Sequence, residues 1–165
     1  MSFDWSSLHA LQLARADAVP EMINHVLVML SDLMEDADHA CEFSLASGPL
    51  IDGDVAESVS PLLPSSCRVQ GLYWVECWRV PVSAALPELF LPSRQPDVWE
   101  EGAPGRVLVA TLADWAVALM GRLWPDDVEC WELRVETDDW YAAAYVDVLI
   151  NHLGRVWLLH LGVTD

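Results

Sequence analysis

The chain has 165 residues, 53% of them hydrophobic, nine tryptophans and a formal net charge of −18, from 26 carboxylates against eight cations that are all arginine. At this length roughly two thirds of the unfolded surface is buried on folding, so the acid belongs to the surface of a folded body and not to a disordered tail. A charge of this sign argues against direct binding to DNA, RNA or an anionic membrane and makes a basic partner the natural complement.

Taken in chain order, Asp4–Ala18 sets Leu8 and Leu11 at helical spacing and predicts a short amphipathic helix. Pro20 suits a first turn, and Met22, Ile23, Val26, Leu27, Leu30, Leu33 and Met34 recur at steps of three and four, which predicts a second helix over Met22–Glu35. A short strand follows at Cys41–Ala46, then a turn cluster of Gly48, Pro49, Asp52, Gly53 and Asp54 and a loop to Pro64. Between Arg15 and Arg68 there is no arginine, so this third of the chain carries acid of one sign.

Arg68–Val82 alternates as a strand with both faces covered, and Ser83 can cap a short helix through Leu91. Pro92, Pro96, Gly102, Pro104 and Gly105 then mark a surface loop that carries Trp99, Glu100 and Glu101. Arg106–Trp124 predicts a helix with Leu108, Leu112, Trp115, Leu119 and Leu123 on one stripe, stopped by Pro125. The remainder reads as β: Trp131–Glu136, Tyr141–Asn151, a turn at His152-Leu153-Gly154 and Arg155–Val163. The expected fold is a single α+β domain, an antiparallel sheet of the four longer strands packed against two or three helices. Its expected core contains Val26, Leu27, Leu30, Leu33, Val75, Leu112, Trp115, Leu119, Val146, Val148, Trp157 and Leu159.

Cys41, Cys67, Cys77 and Cys130 lie far apart, and no basic leader or apolar span of membrane length is present, so the reading is a cytoplasmic protein with reduced thiols. His9, His25, His39, His152 and His160 make no HxxxH, HxH or HExxH spacing, and no GxSxG, GxGxxG or GxxxxGK[ST] motif occurs. No metal or small-molecule cofactor and no catalysis is expected. His25 and His160 read as histidines satisfied within the structure, and Asp138 with Asp139 as a solvated turn.

The run Pro125–Trp140 stands out. Asp126, Asp127, Glu129, Glu132, Glu136, Asp138 and Asp139 surround one cation, Arg134, among Trp124, Trp131 and Trp140. Carboxylates steer a basic partner and aromatic anchors hold it, which makes Trp99, Glu100, Glu101, Asp126, Asp127, Glu129, Asp138, Asp139 and Trp140 the candidate partner-binding residues. The bland reading of the same run is the wet face of a strand with its tryptophans in the core.

The terminal segment, Tyr141-Ala-Ala-Ala-Tyr-Val-Asp-Val-Leu-Ile-Asn151, His152-Leu-Gly154 and Arg155-Val-Trp-Leu-Leu-His-Leu-Gly162, resembles the closing hairpin of small acidic bacterial immunity proteins, which neutralise polymorphic or type VI secreted toxins. The resemblance covers about the last 25 residues together with the acidic, tryptophan-rich profile, and carries over no functional residue. It implies a tight one-to-one complex that blocks a cognate toxin's active site or a neighbouring surface; the chain itself is read as a monomer or homodimer. Type III secretion chaperones share the small acidic α/β profile but usually finish on a helix, where this chain finishes on a strand. A nucleic-acid mimic is the third reading and would require phosphate-like spacing of the acids.

Overall fold

The computed structural model describes residues 18–35, 40–89 and 104–164. The helix expected over Asp4–Ala18 therefore lies outside the described residues except for Ala18, as do Trp99, Glu100 and Glu101. The described chain is α+β, as its patterning predicts. It runs α1 (Val19–Glu35), β1 (Cys41–Pro49), α2 (Val55–Val59), a 3₁₀ turn (Ser60–Leu62), β2 (Cys67–Val75), α3 (Arg79–Leu89), α4 (Pro104–Leu123), β3 (Glu129–Thr137), β4 (Ala144–His152) and β5 (Arg155–Val163).

All neighbours in the sheet are antiparallel, in the order β1-β5-β4-β3-β2. The Cys41 strand, longer than expected, thus joins the four anticipated strands as an edge beside β5. Helix α1 closes that edge: the Asn24 amide donates to the Leu45 carbonyl at 2.9 Å and accepts from the Leu45 N–H at 2.7 Å. Leu153 (φ 52°) and Gly154 (φ 71°) make the two-residue left-handed turn that a tight β4–β5 hairpin requires.

One face of the sheet is buried by α1, α3 and α4, with Ile23, Leu27, Leu30, Met120, Val148, Ile150, Leu159 and Leu161 at the centre. Trp78, Trp124 and Trp157 stack edge to face there, with ring centroids 5.6 and 6.0 Å apart. Among the described residues the opposite face is covered only in part. Val59 and Leu63, from the segment expected to be loop, pack on Leu133, Leu149, Val156 and Leu158. That segment forms a helix because Asp54 accepts from the Glu57 N–H at 3.0 Å as its N-cap.

Three expectations are corrected. The strand over Arg68–Val82 stops at Val75, and the chain turns so that Trp78 enters the helix layer and Pro81 falls in the first turn of α3. Proline, which has no N–H to give to a ladder, suits a helix's first turn and not a central strand. β2 is instead an edge strand whose Tyr73 and Trp74 are exposed, so its faces are not both covered. On α4 the buried stripe is Val109, Leu112, Ala116, Leu119 and Met120, while Leu108 and Trp115 are 46% and 47% exposed. This helix is apolar nearly all round, so periodicity alone does not select its inner face.

Candidate functional site

Strands β1, β5 and β4 set residues side by side in fixed rungs. One rung on the partly covered face holds Ser44, His160 and Asp147, and the next holds Glu42, Gly162 and Tyr145. The alternation of a strand puts these on the face opposite Phe43, Leu159, Leu161 and Val148, which enter the core. The α2 segment covers this face only at the Leu158 end, and the β3–β4 connection brings Trp140 and Tyr141 over the other. Between them lies a cavity of about 420 Å³ lined by Glu42, Ser44, Leu63, Trp140, Tyr141 and His160, among others.

Asp147 and His160 are both buried. His160 Nδ1 lies 2.6 Å from Asp147 Oδ1, the Tyr141 hydroxyl donates to Asp147 Oδ2 at 2.8 Å, and the same hydroxyl lies 3.1 Å from His160 Nδ1. Burial first, and then the neighbouring Asp147 carboxylate, hold the Tyr141 phenol far above its ordinary range, so it stays a donor. Tyr145 meets the Tyr141 ring edge to face at 4.9 Å. A Cβ at position 162 would come within 2.5 Å of His160 Nε2, so the imidazole rests over bare glycine backbone.

The acidic run anticipated as one interface is drawn out along β3 into two groups. Asp126, Asp127 and Glu129 gather at its start, where Asp126 pairs with Arg79 at 2.5 Å and Glu129 accepts from Asn151 at 2.8 Å. Asp138, Asp139 and Trp140 follow its end, where Asp138 pairs with Arg68 at 2.9 Å and Asp139 Oδ1 accepts from the Trp140 N–H at 2.8 Å. The eight strand residues from Cys130 to Thr137 separate the groups, so Glu129 and Asp138 stand roughly 30 Å apart at about 3.3 Å per residue. Of the three aromatics flanking the run, Trp124 is buried, Trp131 is half-buried and Trp140 is 65% exposed.

Sequence reasoning missed the outer edge of this ribbon. Trp74 is 61% exposed and meets Trp131 edge to face at 5.7 Å, on the face of β3 that also carries Glu129. Tyr73, on the reverse face, stands opposite Glu132 with the Arg134 guanidinium 5.8 Å from its ring. Among the described residues no helix is long and apolar enough to cross a membrane. In comparisons with known proteins, the chain matches no family model, no curated protein and no solved structure.

Proposed function

We propose that the protein is a cytoplasmic bacterial immunity protein that binds and neutralises a cognate toxin carrying a basic surface. The observation that carries this reading is the β2–β3 ribbon. It is an edge of the sheet, it carries exposed Glu132 and Glu136, and Trp74 and Trp140 stand more than half exposed toward its two ends. Large aromatic rings held in water on a folded surface are what a protein interface uses as anchors. Carboxylates near them, Glu129 on the Trp74 face and Asp138 and Asp139 beside Trp140, repel nucleic acid and attract a cationic partner. An open edge strand adds backbone donors and acceptors to such an interface.

The test is co-purification from the source organism, followed by association kinetics with the protein recovered. Reversing the charge of Glu132, Glu136 and Asp139 together is expected to slow association and flatten its salt dependence, because exposed charges act mainly on the encounter. Trp74→Ala or Trp140→Ala is expected to speed dissociation at least about tenfold, the size of a hot-spot loss. Recovery of a secretion effector with an obligate dimer of this chain would favour a chaperone instead. Kinetics unchanged in all three variants would remove the ribbon from the interface.

A further inference from the structure

We propose that the cavity above the Asp147–His160–Tyr141 cluster is a binding site for a small organic cation, an ammonium or guanidinium group carried on an apolar stem. This site does not depend on the protein-binding reading. His160 Nδ1 faces Asp147 Oδ1 at 2.6 Å, which fixes the ring with Nε2 turned away from that carboxylate and toward Gly162. Nε2 rests over Gly162, and the cross-strand partner of Gly162 on the same face is Glu42, so imidazole and carboxylate converge on one end of the cavity.

Among the described residues no arginine lines the space, which holds the Glu42 carboxylate and the Ser44 and Thr164 hydroxyls, all able to accept. Their complement is a donor that carries positive charge. Trp140 and Tyr141 bring aromatic rings, which attract cations, into the lining, and Ala46, Leu62, Leu63 and Leu158 give an apolar wall for a stem. A volume of about 420 Å³ falls in the range of ordinary small-molecule sites.

Stability does not account for the cluster. A buried carboxylate with its partners contributes no more than well-packed apolar side chains of the same volume, and buried titratable groups facing a cavity are the usual mark of a site. Gly162 serves the cluster: its missing side chain leaves the room that the Nε2 edge of His160 itself occupies.

The experiment titrates the purified protein with n-butylguanidinium and with neutral n-butylurea, following the His160 ring and Trp140 indole resonances by NMR. The guanidinium is expected to shift both resonances saturably with one-to-one stoichiometry, and the urea to leave them in place. Glu42→Gln and Trp140→Ala, both at exposed side chains, are expected to weaken binding about tenfold, while Glu132→Gln, outside the cavity, leaves it unchanged. The proposal is overturned if His160 does not respond to about 10 mM guanidinium. It also fails if the urea binds equally well, or if Glu132→Gln weakens binding as much as Glu42→Gln, which would mark a general attraction of cations to an acidic surface.

Discussion

Cys130 is completely buried, and its thiol donates to the Val75 carbonyl at 3.2 Å. Burial, and then proximity to Cys77, push that thiol up to about 11 from an ordinary 9.0. The unfolded chain therefore releases this proton first as pH rises, so the stabilising contribution is intact below about 9 and is lost through about 11. Tyr141, raised by burial and Asp147, acts in the same direction above the ordinary phenol range. Urea midpoints measured from pH 8 upward should fall, and fall less steeply in Cys130→Ala. For the cluster, Asp147→Ala strands the buried His160 and the half-buried Tyr141 and should cost about 3 kcal/mol. Asp147→Val combined with His160→Leu and Tyr141→Phe should recover most of that loss, as read by denaturant unfolding. This cluster was nearly legible in the sequence. A two-residue turn pairs His152 with Arg155 and hence Asp147 with His160, whereas the three-residue turn His152-Leu153-Gly154 slides the register by one and sets Val146 opposite His160. A slip of one residue moves every side chain to the other face, so the longer turn gives His160 no carboxylate across the ladder.

Among the elements, helices and strands with a strong period were readable, and the exceptions share a cause. α1 has a dominant apolar face, so its spacing specifies its buried side apart from Met22 and its extent apart from the turn at Val19, Pro20 and Glu21 that precedes the periodic residues. α4 is apolar on several faces, and the choice among them was made by the packing of α1 and α3. Trp115→Ala should accordingly change stability by no more than about 0.5 kcal/mol, as expected for a surface substitution. Trp78→Ala should cost about 3–5 kcal/mol, because it empties a fully buried site between Trp124 and the Pro125 carbonyl, to which the indole donates at 3.2 Å. The strand expected through Val82 went wrong at Pro81, whose missing N–H is a stop signal that alternation alone does not register. The two acidic groups at either end of β3 were legible as a composition and not as a surface, because their separation depends on the intervening residues being a full extended strand.

For the whole molecule, a net charge of −18 leaves carboxylates in large excess, and in the ion pairs Arg68–Asp138 and Arg79–Asp126 at least one partner is largely exposed. Exposed pairs of this kind contribute little. Self-repulsion should therefore show as a melting temperature that rises with sodium chloride, since the screening length falls from about 30 Å at 0.01 M to about 8 Å at 0.15 M. A flat response would mean that the carboxylates are spaced too widely to interact. The sheet itself is not uniform. β3 pairs with β4 only over Glu129–Glu132, whereas its ladder with β2 continues to Thr137. Beyond that point the outer two strands are joined to the rest chiefly by the small apolar cluster under Val59 and Leu63 and by Tyr145, whose hydroxyl accepts from the Val135 N–H at 3.5 Å. Five strands drawn as one sheet thus form two cooperative units of unequal strength. In native-state hydrogen exchange the amides of 68–72 and 133–137 should open together, at lower free energy and without global unfolding, while those of 156–162 remain protected until the whole chain unfolds.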